Sequence, residues 1–421
     1  MRIVLNLIIL LLAFSATLSA QNDFASFDRQ TYDYYIKGDY KNLKTITSNI
    51  LKQGIDYYYL RMRIGILSYN KQRYPIAVKH FGKALEFNSL DTISREYIYN
   101  SYLYSGRKAD AGLFLESIPQ DKKNNSLKYI HKPGLSEIYF GSSAAGYDVT
   151  LYTFDNLNYE AIKYSLGFQA GFESYLSSRF KGTFAFTNYH KSGTVYSPSN
   201  PMGGDLNFTQ SQLYARLTGY VFPGWEFSVF GNIAFYKDAL TSGQMGNSTT
   251  LRRTEYLGGA GISKIGWKMR TGVNMSFSNF SNSTQIRGEG YITWLPLGNL
   301  NIYLTTGGMY QNDKTWGVTY QINQEIGFKI LRSLWLESGI VQGNSFLYAR
   351  TQGYIMNNSF QIPAMTIYSN LIILPWKHIS LTLSPCFTEN SAYSWDLNAS
   401  TRTGKLNLSS FGSSVRLTYK F

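Results

Sequence analysis

Apolar residues change their spacing along this chain, and each spacing predicts a different element. Ile3 to Phe14 is an almost unbroken apolar run behind the basic start Met1-Arg2. Small residues then lead to Ala20-Gln21, where an export leader would be cut, although Leu18 is large for its place two before Ala20. The run is shorter than the ~20 residues a membrane-spanning helix needs. From about Phe27 to Pro119, Leu, Ile and Tyr recur at helical spacing. From Ser136 onward the period is two. In the last segment Phe411, Val415, Leu417, Tyr419 and Phe421 share one face, and Gly412, Ser414, Arg416, Thr418 and Lys420 the other. Apolar outward and polar inward is the pattern of a strand between lipid and a lumen.

Domain limits follow. Residues 1–20 read as a signal peptide, 21–120 as a helical domain, 121–134 as a linker and 135–421 as an antiparallel transmembrane β-barrel. The linker is polar and ends in the breaker pair Pro133-Gly134. Glycine supports the division, with 6 before residue 134 and 31 in the remaining 288 residues. No later stretch is long and apolar enough for a spanning helix, so strands would have to do the spanning. Candidate strands begin near Ser136, Ala161, Phe180, Leu206, Trp225, Leu251, Trp267, Thr284, Leu300, Thr315, Leu334, Ile362, Ile379 and Leu406. That makes about fourteen, within a range of twelve to sixteen. Even links are short, such as Pro223-Gly224 and Pro375-Trp376; odd links are longer, notably His190 to Asp205, Ala239 to Thr250, Phe346 to Gln361 and Asn390 to Gly404. Short periplasmic turns against long surface loops place both barrel ends, and the helical domain, in the periplasm.

The helical part repeats with a period of 34. Gly38, Gln72 and Gly106 share one register; so do Leu43, Ala77 and Ala111, and Ile50, Ala84 and Ile118. With Gly65, Tyr74, Phe81 and Ala84 in the middle copy, this resembles the tetratricopeptide repeat, departing from it at Ser68 and Ser89. The resemblance implies three repeats, six helices and a surface that grips a periplasmic protein or polymer. An unrelated array of helical hairpins is the other reading. The terminal Leu417, Tyr419 and Phe421 resemble the signal that barrel-insertion machinery reads. Helices of this kind before one barrel resemble, at the level of architecture, polysaccharide-export barrels, surface lipoprotein assembly modifiers and YaiO-type barrels.

Composition narrows the chemistry. Net charge is +14, or +13 without Arg2, but the basic residues are scattered singly, which argues against nucleic acid. Cys386 is the single cysteine, which excludes an internal disulfide and a cysteine-based metal site. High aromatic content, 35 Tyr and 26 Phe, with only 16% charged residues suits interfacial girdles. Alternation places Lys163, Glu173, Lys181, Arg216, Glu226, Lys268, Arg270, Arg287, Glu289, Glu325, Lys329, Glu337, Arg416 and Lys420 toward the lumen, nine basic and five acidic. They read either as a path favouring anions or as a cross-strand ion-pair lattice. Inward Tyr189, Tyr214, Tyr220, Tyr236, Tyr291, Tyr303 and Tyr368 would stack on sugars or fill the interior.

Catalysis has thin support. His80 lies mid-helix, and His131 and His378 fall in the linker and a turn. His190-Lys191-Ser192 resembles the His-x-Ser pair of outer-membrane lipid A deacylases, in which a histidine base activates serine, but no carboxylate is identifiable beside it. No cofactor, phosphate-loop or metal spacing is present. The expectation is a non-enzymatic outer-membrane protein for transport or export, its partners the lipid bilayer, the insertion machinery and a periplasmic protein or polymer. A non-conducting scaffold is the alternative, and a lipid hydrolase a distant one.

Overall fold

A computed structural model describes residues 24–119, 133–148, 159–197, 200–242, 248–280, 283–315, 317–344, 348–350, 352, 354–357, 362–396 and 401–421. The leader, its cleavage point and most of the expected linker lie outside these residues. The chain forms two compact units that divide at Lys128.

The first unit is helical: α1 (24–36), α2 (Tyr40–Lys52), α3 (Tyr58–Asn70), α4 (Tyr74–Phe87), α5 (Thr92–Tyr104) and α6 (Lys108–Ser117). The period of 34 reappears in three turns. Gly38, Gln72 and Gly106 all adopt positive φ, at 69°, 56° and 71°. Each donates its N–H to the carbonyl three residues back, and the next residue donates to the carbonyl five back; in the middle copy Gln72 N bonds Tyr69 O and Arg73 N bonds Ser68 O, both at 2.8 Å. This double bond around a left-handed residue closes a helix C-terminus. The residues that share register inside the repeats are buried in all three copies: Leu43, Ala77 and Ala111, then Ile50, Ala84 and Ile118. Phe81 stacks on Tyr97 at 4.7 Å and lies across Gly65, where a Cβ would come within 2.8 Å of its ring. His80 is a packing residue here: its Nδ1 accepts from Arg61 Nη1 at 3.2 Å, and burial together with that cation lowers its pKa to about 4. Only glycine holds positive φ without steric cost, so Gln72→Gly is expected to stabilise this unit by about 1 kcal/mol, read as a rise in its urea midpoint.

The second unit is a closed antiparallel barrel. Its strands are β1 (Gly134–Asp148), β2 (Tyr159–Ser177), β3 (Phe180–Ser197), β4 (Asn200–Gly219) and β5 (Trp225–Ser242). They continue as β6 (Ser248–Ile265), β7 (Met269–Ser278), β8 (Gln285–Trp294), β9 (Ile302–Asp313), β10 (Gly317–Leu331) and β11 (Leu334–Gly343). A separate hairpin, β12 (Tyr348–Arg350) and β13 (Ile355–Asn357), precedes β14 (Ile362–Trp376), β15 (Ile379–Asp396) and β16 (Thr401–Lys420). Among the described residues fourteen strands close the barrel, each paired with its neighbour along the chain, and β1 meets β16 across the seam from Glu137↔Lys420 to Asp148↔Ser409.

The exterior is apolar because alternate residues meet no protein. Phe172, Phe184, Leu213, Val273, Ile326 and Val415 are exposed there. On β10 the outward Tyr320 and Ile330 are ten positions apart, which at ~3.3 Å per residue and a ~40° tilt is about 25 Å of height, the span of a lipid-facing band. On β3 and β4 the outward face changes above Phe186 and Leu213 to Asn188, His190 and Ser192 opposite Ser211, Thr209 and Asn207. Those residues mark where the wall leaves the apolar band.

Three of the long surface loops expected from sequence are largely strand. Ladders continue to Ser197↔Asn200, Thr241↔Ser248 and Asp396↔Thr401. Polar residues on both faces read as loop, but a ladder above the lipid needs no apolar face because water wets both sides. The wall is therefore uneven: β2 to β6, β15 and β16 run 18 to 20 residues, whereas β7, β8 and β11 have 10.

Candidate functional site: the barrel lumen

The residues expected to line the lumen are set by strand parity. Arg216 shares its face with the buried Gln212, Tyr214 and Thr218, and Arg270 with the buried Asn274 and Ser276. Arg287 is buried on the inner face of β8 and pairs with Glu289. Glu325 is inward on β10 and accepts from Tyr368 Oη at 2.7 Å. Arg416 faces inward, 2.8 Å from Gln169 Oε1, its guanidinium 5.2 Å over the Tyr139 ring. Leu417, Tyr419 and Phe421 point outward and are exposed. Lys268 is a correction: β6 ends at Ile265 and β7 starts at Met269, so Lys268 sits in the turn, where its carbonyl accepts from Leu295 N at 2.7 Å. Lys163 occupies a bulge between Ile162 and Tyr164, which breaks the parity that placed it inside.

Charges in the lumen are neutralised in two ways. Lys181 bonds Glu173 at 2.9 Å, and Arg253 reaches both Asp238 at 3.6 Å and Glu255 at 3.5 Å. Glu337 instead accepts from Tyr303 Oη and from Asn370 Nδ2, as Glu325 accepts from Tyr368. The Arg253 group escaped the sequence reading because it lies at the edge of a segment taken as loop.

Five inward tyrosines follow one rule, whereas Tyr214 and Tyr236 stand opposite Asn232 and Gln210. Tyr139 lies opposite Gly171, Tyr189 opposite Gly167, Tyr291 opposite Gly272, Tyr303 opposite Gly327 and Tyr368 opposite Gly339. At each of these glycines a Cβ would strike the ring. The rings lie flat along the wall, each on the bare backbone of the neighbouring strand. These five pairings account for part of the glycine content of the barrel, and they keep those rings close to the wall.

Among the described residues a docked segment of chain enters the lumen and joins a cluster with Tyr139, Phe208, Tyr214 and Phe230. The hairpin β12–β13, in the link between β11 and β14, folds inward against β4, β5 and β7. Met356 is 1% exposed. Its carbonyl accepts from Gln210 Nε2 at 2.7 Å and Gln212 Nε2 at 3.0 Å, and its N–H donates to Gln212 Oε1 at 3.1 Å. Tyr354 meets Tyr139 hydroxyl to hydroxyl at 2.5 Å, packs edge-on against Tyr214 at 5.0 Å, and its carbonyl accepts from Asn232 at 3.4 Å. Gln352 Nε2 donates to Asn274 Oδ1 at 2.8 Å. Sequence reasoning missed both sides of this contact. The available signal was the apolar run Tyr354-Ile355-Met356 inside a segment taken as a surface loop.

Beside the hairpin a cavity of about 340 Å³ remains against the inner faces of β1, β2, β15 and β16. Its wall is built from small residues, among them Gly141, Ser143, Gly167, Ser384, Gly412 and Ser414.

His190 and Ser192 share the outward face of β3, away from the lumen. Their register neighbours are Leu166 and Thr209, and Tyr164 and Asn207, so no carboxylate stands opposite either. Among the described residues no group of His, Cys, Asp and Glu is placed to hold a metal ion.

No family model matches the chain, and no curated protein matches it. Solved structures do. The Pseudomonas putida toluene transporter TodX matches with 7% identity over 69% of this chain and 90% of its own, at a TM-score of 0.47. A Pseudomonas aeruginosa FadL homologue matches with 10% identity over 69% and 91%, at 0.44. A bacterial polysaccharide outer membrane secretin matches with 11% identity over 70% and 100%, at 0.39. Likenesses of this grade describe a barrel and assign neither cargo nor activity.

Proposed function

We propose that this protein is a channel of the bacterial outer membrane that passes small polar solutes, with its helical unit in the periplasm binding a partner or cargo. The observation that carries this reading is the lumen itself: five of its tyrosines lie on glycines of the neighbouring strand, and the inserted hairpin leaves about 340 Å³ against the opposite wall. That space holds on the order of ten water molecules at ~30 Å³ each. A barrel packed for rigidity alone would close it with side chains. The apolar exterior band supports insertion in lipid, and an even strand number leaves both ends of the barrel on one side of it. The fold of a short helical array before a barrel supports the architectural resemblance to export and assembly barrels noted in the sequence, with the repeats as the gripping surface.

The second reading is a non-conducting scaffold. The docked hairpin favours it, since its bonds to Gln210, Gln212 and Asn232 hold backbone across part of the bore. Purified protein in a planar lipid bilayer separates the two. Small, discrete current steps in potassium chloride are expected; a wild type that stays silent at all voltages overturns the channel and leaves the scaffold.

A further inference from the structure

One row of residues on the outside of the barrel is cationic. Strand register sets His190 on β3, Thr209 on β4, Lys237 on β5 and Arg252 on β6 side by side. The row faces outward: Lys237 shares its face of β5 with the exposed Phe227, Val229, Ile233 and Phe235, and Arg252 shares its face of β6 with the exposed Tyr256. Phe227 and Lys237 are ten positions apart, which at ~3.3 Å per residue and a ~40° tilt is about 25 Å of height. Lys237 and Arg252 therefore stand at the rim of the apolar band, on the side away from Gly134 and Phe421, at the level of lipid headgroups. On the low wall that end of the band carries the exposed Phe277, Ile286, Tyr310 and Tyr320 instead.

Both cations are exposed. As directly opposed residues on one face their Cβ atoms lie about 5 Å apart, and like charges so placed repel. The acids beside them in sequence do not relieve this, because Asp238 and Glu255 face the lumen, where Arg253 engages both. The outward Asp205 lies four residues along β4 from Thr209, on the order of 13 Å. Among the described residues neither cation forms an ion pair with a carboxylate.

We propose that Lys237 and Arg252, with Thr209 and His190 beside them, form a site on the outer wall for the phosphate group of a lipid headgroup. The proposal rests on the barrel's placement in lipid and not on conduction. Phosphate fits the donor set: a guanidinium offers two parallel N–H groups to two of its oxygens, and an ammonium adds a compact second charge. A lipid is the source, because its acyl chains lie against Ile233, Phe235 and Tyr256 directly below the cations. The bound anion cancels the repulsion between the pair, so lipid and wall stabilise each other.

Native mass spectrometry of the folded, detergent-solubilised protein tests this with phosphatidic acid, whose headgroup is a bare phosphate, against phosphatidylcholine with the same acyl chains. Wild type should retain phosphatidic acid several-fold better, and Lys237→Gln with Arg252→Gln should lower its retention to that of phosphatidylcholine. Lys41→Gln with Lys44→Gln, two exposed lysines of α2, removes the same charge and should leave retention unchanged. Folding is checked by heat-dependent gel mobility; should the double variant not fold, Lys237→Gln alone is read for the same fall. Equal retention of the two lipids by wild type, or equal loss in both double variants, overturns the site. Excess inorganic phosphate should leave the lipid bound, and displacement by it would mean a site for free phosphate and overturn the lipid assignment.

Discussion

Replacing residues 348–357 by a short glycine-serine bridge should raise single-channel conductance several-fold while leaving the barrel folded. The hairpin is held by Gln210, Gln212, Asn232 and Asn274 and by the Tyr139–Tyr354 hydroxyl contact, all from the wall to one small piece of chain. Each neutral hydrogen bond contributes about 0.5–1.5 kcal/mol net, so the group together holds the hairpin down by a few kcal/mol. Nothing in the ladder depends on it, because β11 pairs directly with β14 from Leu334↔Ile373 to Gln342↔Met365. Its removal opens the side of the bore lined by Gln210 and Gln212 and leaves amides that water can solvate. A milder form is Gln212→Ala, which removes one donor and one acceptor from Met356 and should give brief openings to the larger level. If the deletion leaves conductance at the wild-type value, the hairpin is not the constriction.

The second large effect is expected at the last residue. Phe421 is 63% exposed on the outward face, so it packs little against protein, yet its N–H donates to Ser136 O at 3.0 Å and forms the end of the β1–β16 seam. Tyr419 meets it edge-on at 5.0 Å, and His378 stacks on Tyr419 from the neighbouring turn. If the outward Leu417, Tyr419 and Phe421 are what the insertion machinery reads, deleting Phe421 should reduce assembled protein to a small fraction of wild type. Lys420→Ala, on the lumen face, should assemble normally. The measure is the heat-modifiable form in outer-membrane fractions, and equal amounts of the two variants would mean that the terminal residues carry no signal.

The strands were legible because lipid on one side and polar lumen on the other impose strict alternation. Every expected strand start found a strand, the largest offset being Leu206 against Asn200. The upper hairpins were not legible, since outside the lipid the pairing of β3 with β4 carries Asn188, His190 and Ser192 on a face where apolar residues stood lower down. Charges drew attention to Arg216, Arg270 and Glu325, and their inward direction was readable from parity. The hairpin contact was not, because Gln210 and Gln212 are neutral and their partner is backbone about 145 residues away. A buried glutamine can donate to a carbonyl and accept from an N–H at once, which makes it a marker of docked chain that a search for charge passes over.

The contact between Tyr139 and Tyr354 spans 215 residues, and the seam joins the first barrel strand to the last. Such distances set a timetable. The six helices make contacts local in sequence and can fold without waiting for the barrel, in the fast regime of low contact order. The barrel cannot close until β16 has emerged, so β1 to β15 must wait with unpaired edges and apolar faces exposed, the condition in which chains aggregate. The hairpin has no seat until the curved wall brings β1, β4, β5 and β7 around it. Its docking therefore waits for that part of the wall, and a barrel closed without it would have a wider bore.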